Sequence, residues 1–296
     1  METKGLPNIG NSCYLNSSIQ LCKLISDFTF KDDNNIMNVF ISDIQSVSKP
    51  ENMESNDPNL NIYLRLYGFI AQNLQYQIGS QQDSCEVVQF ITDKYADLIQ
   101  EKNKLLSVFN QVVSCLNCNK YRIVAEQKES MLISHELNNN TNEEIDFRTF
   151  FTSIFSSENL EGHNTECNCT SPRAHVRTVF TSLPDYLFIK VGRCRSDLSK
   201  IYKKLKFESV FELDYPLNLQ NNIQGIDKSK LKKQYQIIGM IIHHGQSMDS
   251  GHYSSIIKSP TGWMYCDDLN IKEIDINVDL EYIQMNCCVL LYRSSS

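Results

Sequence analysis

No apolar run in the 296-residue sequence reaches the roughly 18 residues needed to cross a bilayer as a helix. The opening residues, Met1-Glu2-Thr3-Lys4-Gly5, lack the apolar centre of a secretory leader. A basic excess is missing too: 28 lysines and arginines stand against 35 acidic residues, for a net charge of −7. That balance argues against nonspecific nucleic-acid or membrane binding, which needs a basic surface. There is no internal repeat and no long low-complexity segment, although asparagine is abundant, as in Asn138-Asn139-Asn140. Cysteine is not scarce. Eleven of them, an odd number at irregular spacing, do not form the framework of a secreted disulfide scaffold. They read as thiols of an intracellular, reducing compartment, cytoplasm or nucleus. With 41% hydrophobic residues the chain can bury a sizeable core, which excludes disorder.

The first hundred residues carry helical periodicity. Asn11 and Ser12 are candidate caps before Leu15, Ile19 and Cys22. Leu60, Leu64, Tyr67 and Leu74 share a second face, and Asp83 precedes a third made of Val87, Ile91, Tyr95 and Leu98. The polar stretch 46–58 reads as a loop. From about residue 108 the pattern shortens into candidate strands at 108–113, 120–124, 176–181, 186–191, 234–243, 253–258, 263–266 and 287–292. Residues 137–142 and 218–233 are polar breaks. The lysines at 200–206 read as a solvated face or an edge strand. The chain is therefore a helical lobe followed by a largely β lobe.

Chemistry concentrates at the two ends. Gly5-Leu6-Pro7-Asn8-Ile9-Gly10-Asn11-Ser12-Cys13 runs from a loop into a helix, so Cys13 meets the positive end of the helix dipole and its unpaired amides. Both favour the thiolate, the nucleophilic form. The bland alternative is a buried structural cysteine. A nucleophile needs a base and the base an orienting group. Gly251-His252-Tyr253 enters a strand, and Asp267-Asp268 ends the next one beyond the turn 259–262. Antiparallel pairing of those strands would bring His252 beside Asp267.

These stretches resemble the ubiquitin-specific proteases, the papain-like deubiquitinases. Residues 5–17 are similar to that family's cysteine box, and Gly251-His252-Tyr253 with residues 263–268 to its histidine box. Gln81-Gln82-Asp83-Ser84-Cys85-Glu86 resembles its Gln-Gln-Asp segment, and Leu183-Pro184-Asp185-Tyr186 its Leu-Pro strand. The four blocks keep the family's order across nearly the whole chain. The resemblance implies Cys13 as nucleophile, His252 as base and then acid, Asp267 as its orienting partner and Asn8 as an oxyanion donor. Asp268 matches the second acidic position, which assists or substitutes. Asp83, Glu86, Gln82 and Tyr253 fall on the substrate side. Carboxylates there would meet the arginines of ubiquitin's tail, Leu-Arg-Leu-Arg-Gly-Gly. Read without the resemblance, Asp83 is a helix cap and Glu86 a first-turn acid.

Cys115-Leu116-Asn117-Cys118 is a Cys-x-x-Cys knuckle of the kind that holds zinc. Its expected partner is a second such pair, and the sequence offers the shorter Cys167-Asn168-Cys169. Three readings stand: four cysteines on one structural zinc, a site in which His163 or His175 replaces a sulfur, and an empty module. The remaining cysteines read as buried or incidental thiols. The fold expected is α+β, of the papain-like ubiquitin-specific protease type. It comprises a helical thumb (1–107), zinc-bound β fingers (108–182) and a β palm (183–296), forming one catalytic domain without a targeting module. The expected activity is a deubiquitinase acting through an acyl-enzyme thioester, with no catalytic cofactor. Its expected partners are ubiquitin and ubiquitinated proteins, with no nucleic acid or membrane, and the chain is expected to be a monomer. The rivals are a protease for another ubiquitin-like modifier and a non-catalytic ubiquitin-binding pseudoenzyme.

Overall fold

The computed structural model describes residues 3–25, 36–54, 56–100, 104–115, 117–118, 120–123, 128–130, 132–137, 144–153, 158–160, 167–169, 174–214, 232–247 and 250–295. Four helices come first: α1 (Cys13–Cys22), α2 (Ile36–Ser46), α3 (Pro58–Leu74) and α4 (Ser84–Leu98). Strands β1 (Ser107–Cys115), β2 (Tyr121–Ile123), β3 (Lys128–Ser130), β4 (Leu132–Glu136) and β5 (Glu144–Asp146) follow. After α5 (Phe147–Ser153) come β6 (Glu158–Leu160), β7 (Ala174–Ser182), β8 (Tyr186–Gly192), β9 (Lys204–Lys206) and β10 (Val210–Asp214). The chain then forms β11 (Lys232–His244), β12 (His252–Lys258), β13 (Trp263–Asp267), β14 (Asn270–Ile274), α6 (Leu280–Asn286) and β15 (Cys287–Ser294).

The large sheet runs β14-β13-β12-β11-β15-β8-β4, with β10 also paired to β11. A second sheet, β2-β1-β7-β6 with β3 on β1, carries the fingers. Along β11 and β15 side chains alternate between two cores. Ile241, Val289 and Leu291 face the helical lobe. Met240, Ile242, Leu290 and Tyr292 face the α5 phenylalanines Phe147 and Phe150. Burial on both faces explains why these strands are near-continuous apolar runs in the sequence.

All eight strands expected from the sequence are present, with no end shifted by more than two residues. The missed strands include three-residue pieces, too short to show alternation. The helices α2, α5 and α6 were also not anticipated. On α3 the buried stripe is Leu60, Tyr63, Leu66, Tyr67, Ile70 and Ala71, while Leu64 is exposed, so the face is rotated from the expected one. Asp57 caps this helix, accepting from Asn59 and Leu60 amides at 2.8 and 3.1 Å. Most of the break expected at 218–233, and 138–142 of the other, lie outside the described residues.

Helix α1 departs furthest from the amphipathic expectation. All ten of its residues are buried, because it is wedged between α4 and the β12 side of the sheet. Its polar residues therefore need partners inside the protein. Ser18 Oγ lies 2.7 Å from Tyr14 O, Gln20 Nε2 donates to Lys4 O at 2.7 Å, and Asn16 Nδ2 donates to Asp268 Oδ1 at 2.7 Å. The lysine cluster is likewise divided. Lys200 is 2% exposed, its ammonium donating to His243 O at 2.5 Å and Asn286 Oδ1 at 2.7 Å, whereas Lys204 and Lys206 lie on β9 facing Glu281 and Glu144. Lys200 is thus a strut rather than part of a solvated face, and Lys203 is buried as well.

Candidate active site

Three distant segments meet at the head of α1. Gly10 (φ 105°) and Asn11 (φ 50°) take left-handed conformations that turn the chain just before Cys13, the first residue of the helix. Asn11 is pinned there by donating to Gly79 O at 2.9 Å. Strands β12 and β13 pair antiparallel, so the start of one lies beside the end of the other. His252 Nε2 stands 2.6 Å from Asp267 Oδ1. The other ring nitrogen, Nδ1, is left for Cys13, whose thiol makes the interaction that most strongly raises the imidazole. Against the opposing effect of burial, Cys13 and then Asp267 push His252 up to about 9.

Gly251 precedes His252 for a steric reason. A Cβ there would stand 2.3 Å from His244 O and 2.7 Å from His243 Nε2, and its φ of 153° also suits glycine. Gln81 Nε2 donates to Gly251 O at 2.8 Å, tying the loop before α4 to the loop before His252. Gln81 was legible only as part of the Gln-Gln-Asp block. Its bond across the cleft has no sequence signal.

Asn8 sits beside this centre with its side chain fixed. Its Oδ1 accepts from Gly10 N at 3.1 Å and Ser12 N at 3.2 Å, and its Nδ2 donates to Asp268 Oδ2 at 2.8 Å. An amide nitrogen carries two hydrogens, so a second N–H remains for an acceptor. Asp268, left-handed at φ 52°, also receives Asn16 Nδ2 at 2.7 Å. The imidazole donates to Asp267, while Asp268 holds the asparagines.

A cleft of about 260 Å³ opens from Cys13 and is lined by Tyr14, Gln81, Gln82, Asp83, His243, Ser250, Gly251 and Tyr253. Asp83 does cap α4, accepting from Cys85 N at 2.8 Å, and lies 3.4 Å from Tyr253 Oη and 3.9 Å from Lys190 Nζ. Gln82 Nε2 donates to Ser80 Oγ at 2.6 Å. Glu86 is exposed on the first turn, accepting from Tyr76 Oη at 2.5 Å. Gln82, Asp83 and Tyr253, three of the residues expected on the substrate side, therefore line this cleft, whereas Glu86 lines a different pocket together with Lys190. Of the doublet His243-His244, which the sequence reading did not single out, His243 lines the same cleft and His244 pairs opposite His252.

At the far end of the finger sheet, the sulfurs of Cys115, Cys118, Cys167 and Cys169 all lie within 4.8 Å of one another. Among the described residues no histidine joins them; His163, and the side chain of His175, lie outside the described residues. Tetrahedral zinc at about 2.3 Å from each thiolate sets neighbouring sulfurs about 3.8 Å apart, and Cys115 and Cys169 are 3.9 Å apart. Backbone amides of Asn117 and Cys118 point at the Cys115 sulfur and, against burial, hold it below the usual thiol range. Cys169 is pushed up to about 12, chiefly by the thiols of Cys118 and Cys167. Four such groups ionise together only around a cation, so the donor set fits zinc.

The family model described as ubiquitin carboxyl-terminal hydrolase matches residues 4–292. Ubiquitin carboxyl-terminal hydrolase 12 of Salmo salar is 22% identical, covering 94% of this chain and 83% of that protein. Ubiquitin carboxyl-terminal hydrolase 36 of Drosophila grimshawi is also 22% identical over 91% of this chain, which spans only 24% of its length. Among solved structures, the SAGA Ubp8/Sgf11/Sus1/Sgf73 DUB module bound to ubiquitin aldehyde superposes with a TM-score of 0.70 at 18% identity, covering 99% of this chain and 70% of that one. The same module bound to monoubiquitin gives 0.70, with 69% of that chain covered.

Proposed function

The chain belongs to the ubiquitin carboxyl-terminal hydrolase family, and from that premise we propose that Cys13, His252 and Asp267 hydrolyse the bond after ubiquitin's terminal glycine. The enzyme is a cysteine-type deubiquitinase. The observation that carries the assignment of residues is the convergence of the three groups at the head of the Gln81–Asp83 cleft.

The Cys13 thiolate attacks the glycine carbonyl carbon while His252 holds the proton taken from the thiol. Charge develops on the carbonyl oxygen, where Asn8 Nδ2 and the Cys13 backbone N–H donate. Asp267 accepts from Nε2–H, so Nδ1 is the nitrogen that trades protons with sulfur and leaving amine. Collapse expels the amine, protonated by His252, and leaves a thioester. Water then gives its proton to His252, attacks the thioester and releases the tail carboxylate and Cys13. Asp268 supports Asn8 rather than the imidazole.

Ubiquitin is the partner this reading assigns to the cleft; the similar Ubp8 modules were solved bound to ubiquitin aldehyde and to monoubiquitin. Asp83 and exposed Glu86 would face the tail arginines. Gln82 and Tyr253 would wall the narrow slot for the terminal glycines, which larger side chains cannot enter. Cys115, Cys118, Cys167 and Cys169 would hold one structural zinc. That ion would supply cohesion to the tip of the fingers and takes no part in bond cleavage.

A ubiquitin probe ending in a vinyl electrophile tests the assignment. Wild type should be labelled and Cys13→Ala should not. Binding without labelling of wild type would leave the pseudoenzyme, and labelling only by a different modifier's probe would leave that rival.

A further inference from the structure

We propose that His244 is a positioning residue for His252: its ring, anchored at both nitrogens, backs the imidazole and holds it on the line between Cys13 and Asp267. This rests on the reading of His252 as the general base.

The register of β11 against β12 sets His244 directly opposite His252. Directly paired residues on one sheet face stand close enough for their side chains to touch. The two imidazoles are near parallel, 28° apart with centroids 5.9 Å distant. Anchorage comes from two hydroxyls. His244 Nδ1 is 2.6 Å from Tyr282 Oη and Nε2 is 2.6 Å from Ser254 Oγ. A neutral imidazole has one donor and one acceptor, and a hydroxyl can answer either, so both nitrogens are satisfied and the ring is fixed in rotation. Tyr282 lies nearly parallel to it at 5.6 Å, and Tyr265 meets it edge-on at 6.4 Å.

The His252 side chain is 38% exposed, so burial alone does not hold it. The reaction asks its ring to accept a proton and return one without swinging off Asp267. A rigid neighbour on the strand side removes that freedom before substrate arrives, which is where preorganisation gains rate. The neighbour must also be uncharged, because His252 carries the proton for part of the cycle. The groups facing His244 are His252 and Ser254 on β12, Tyr265 and Asp267 on β13, Tyr282 on α6 and the Lys200 ammonium. Burial, then His252, push His244 down to about 4 against the pull of Asp267. The ring stays neutral beside the imidazolium.

The test is steady-state release of a fluorophore from the ubiquitin C-terminus by wild type, Cys13→Ala, His244→Ala, His244→Gln and Tyr282→Phe. His244→Ala and His244→Gln should lower kcat about tenfold with KM within about twofold, because orientation is lost and binding is not. Tyr282→Phe, which frees one nitrogen and keeps every ring, should lower kcat about threefold. Should His244→Ala fail to fold, the other two variants decide. Wild-type kcat in the folded variants, even with lowered thermal midpoints, overturns the proposal and leaves His244 merely structural. An inactive wild type, or an active Cys13→Ala, overturns the reading of the site itself.

Discussion

At the scale of single residues, the centre is a set of small groups held by their neighbours before any substrate is present. His252 is the clearest case. Its folded-state value, raised to about 9 from 6.5, means the folded chain holds that proton more tightly than the unfolded one. The resulting stabilisation is complete below about pH 6.5 and is lost as pH climbs through about 9. Cys13→Ala and Asp267→Asn should each move the imidazole titration downward, read from its ring-proton NMR shift against pH. An unmoved titration in both would remove the two named causes. Asn8 belongs to the same scale. Because its bond to the oxyanion forms chiefly in the transition state, Asn8→Ala should cut kcat about 10²-fold while ubiquitin affinity holds. An equal loss in affinity would make it a binding group instead.

At the scale of elements, what positions the centre is the way strand ends and loops are fastened from behind. Arg193, just after β8, is 1% exposed and has no carboxylate bound in the described structure. Its guanidinium donates to the carbonyls of Cys287 at 2.7 Å, Ile201 at 3.0 Å, Lys203 at 2.7 Å and Gln284 at 2.8 Å. It thereby joins β8, the segment leading to β9, the end of α6 and the start of β15. Lys200 then reaches from that segment to His243 O, beside the cleft. Removing the guanidinium strands several buried carbonyls, so Arg193→Met should cost on the order of 3 kcal/mol in urea unfolding. A loss below about 1 kcal/mol would show that water replaces those bonds. None of this was legible in the sequence. Arg193 and Lys200 sit in a stretch of ordinary surface composition, and only the path of the chain buries them.

At the scale of the whole molecule, a helical lobe and a two-faced sheet form the cleft, and a separate finger sheet ends in four sulfurs. Purified protein should contain about one zinc per chain, and chelation should lower the thermal midpoint, because metal binding there is folding free energy. A folded, fully active chain with near-zero zinc would reject the site. The sequence left the shortened Cys167-Asn168-Cys169 half-site open between three readings. The antiparallel pairing of β1 with β7, setting Cys115 opposite Ala174, is what brings the two cysteine pairs to one end of the sheet.

The sequence by itself determined the lobes, the long strands and the ordered blocks around Cys13, Asp83, His252 and Asp267. Those are local patterns, and even the His252–Asp267 contact follows from one short hairpin between neighbouring strands. Eleven irregularly spaced cysteines read as free thiols, and the lack of a basic excess argued against nonspecific nucleic-acid binding. Only the tertiary structure decided which polar groups are buried and what satisfies them. The complete burial of α1, the clamp of Asp268 on Asn8 and Asn16, the bond from Gln81 to Gly251 and the stacking of His244 on His252 depend on it. Each is a contact between segments whose proximity is set by the packing of the core, and a hydrogen bond's worth depends on that surrounding burial. Residue order does not encode it locally.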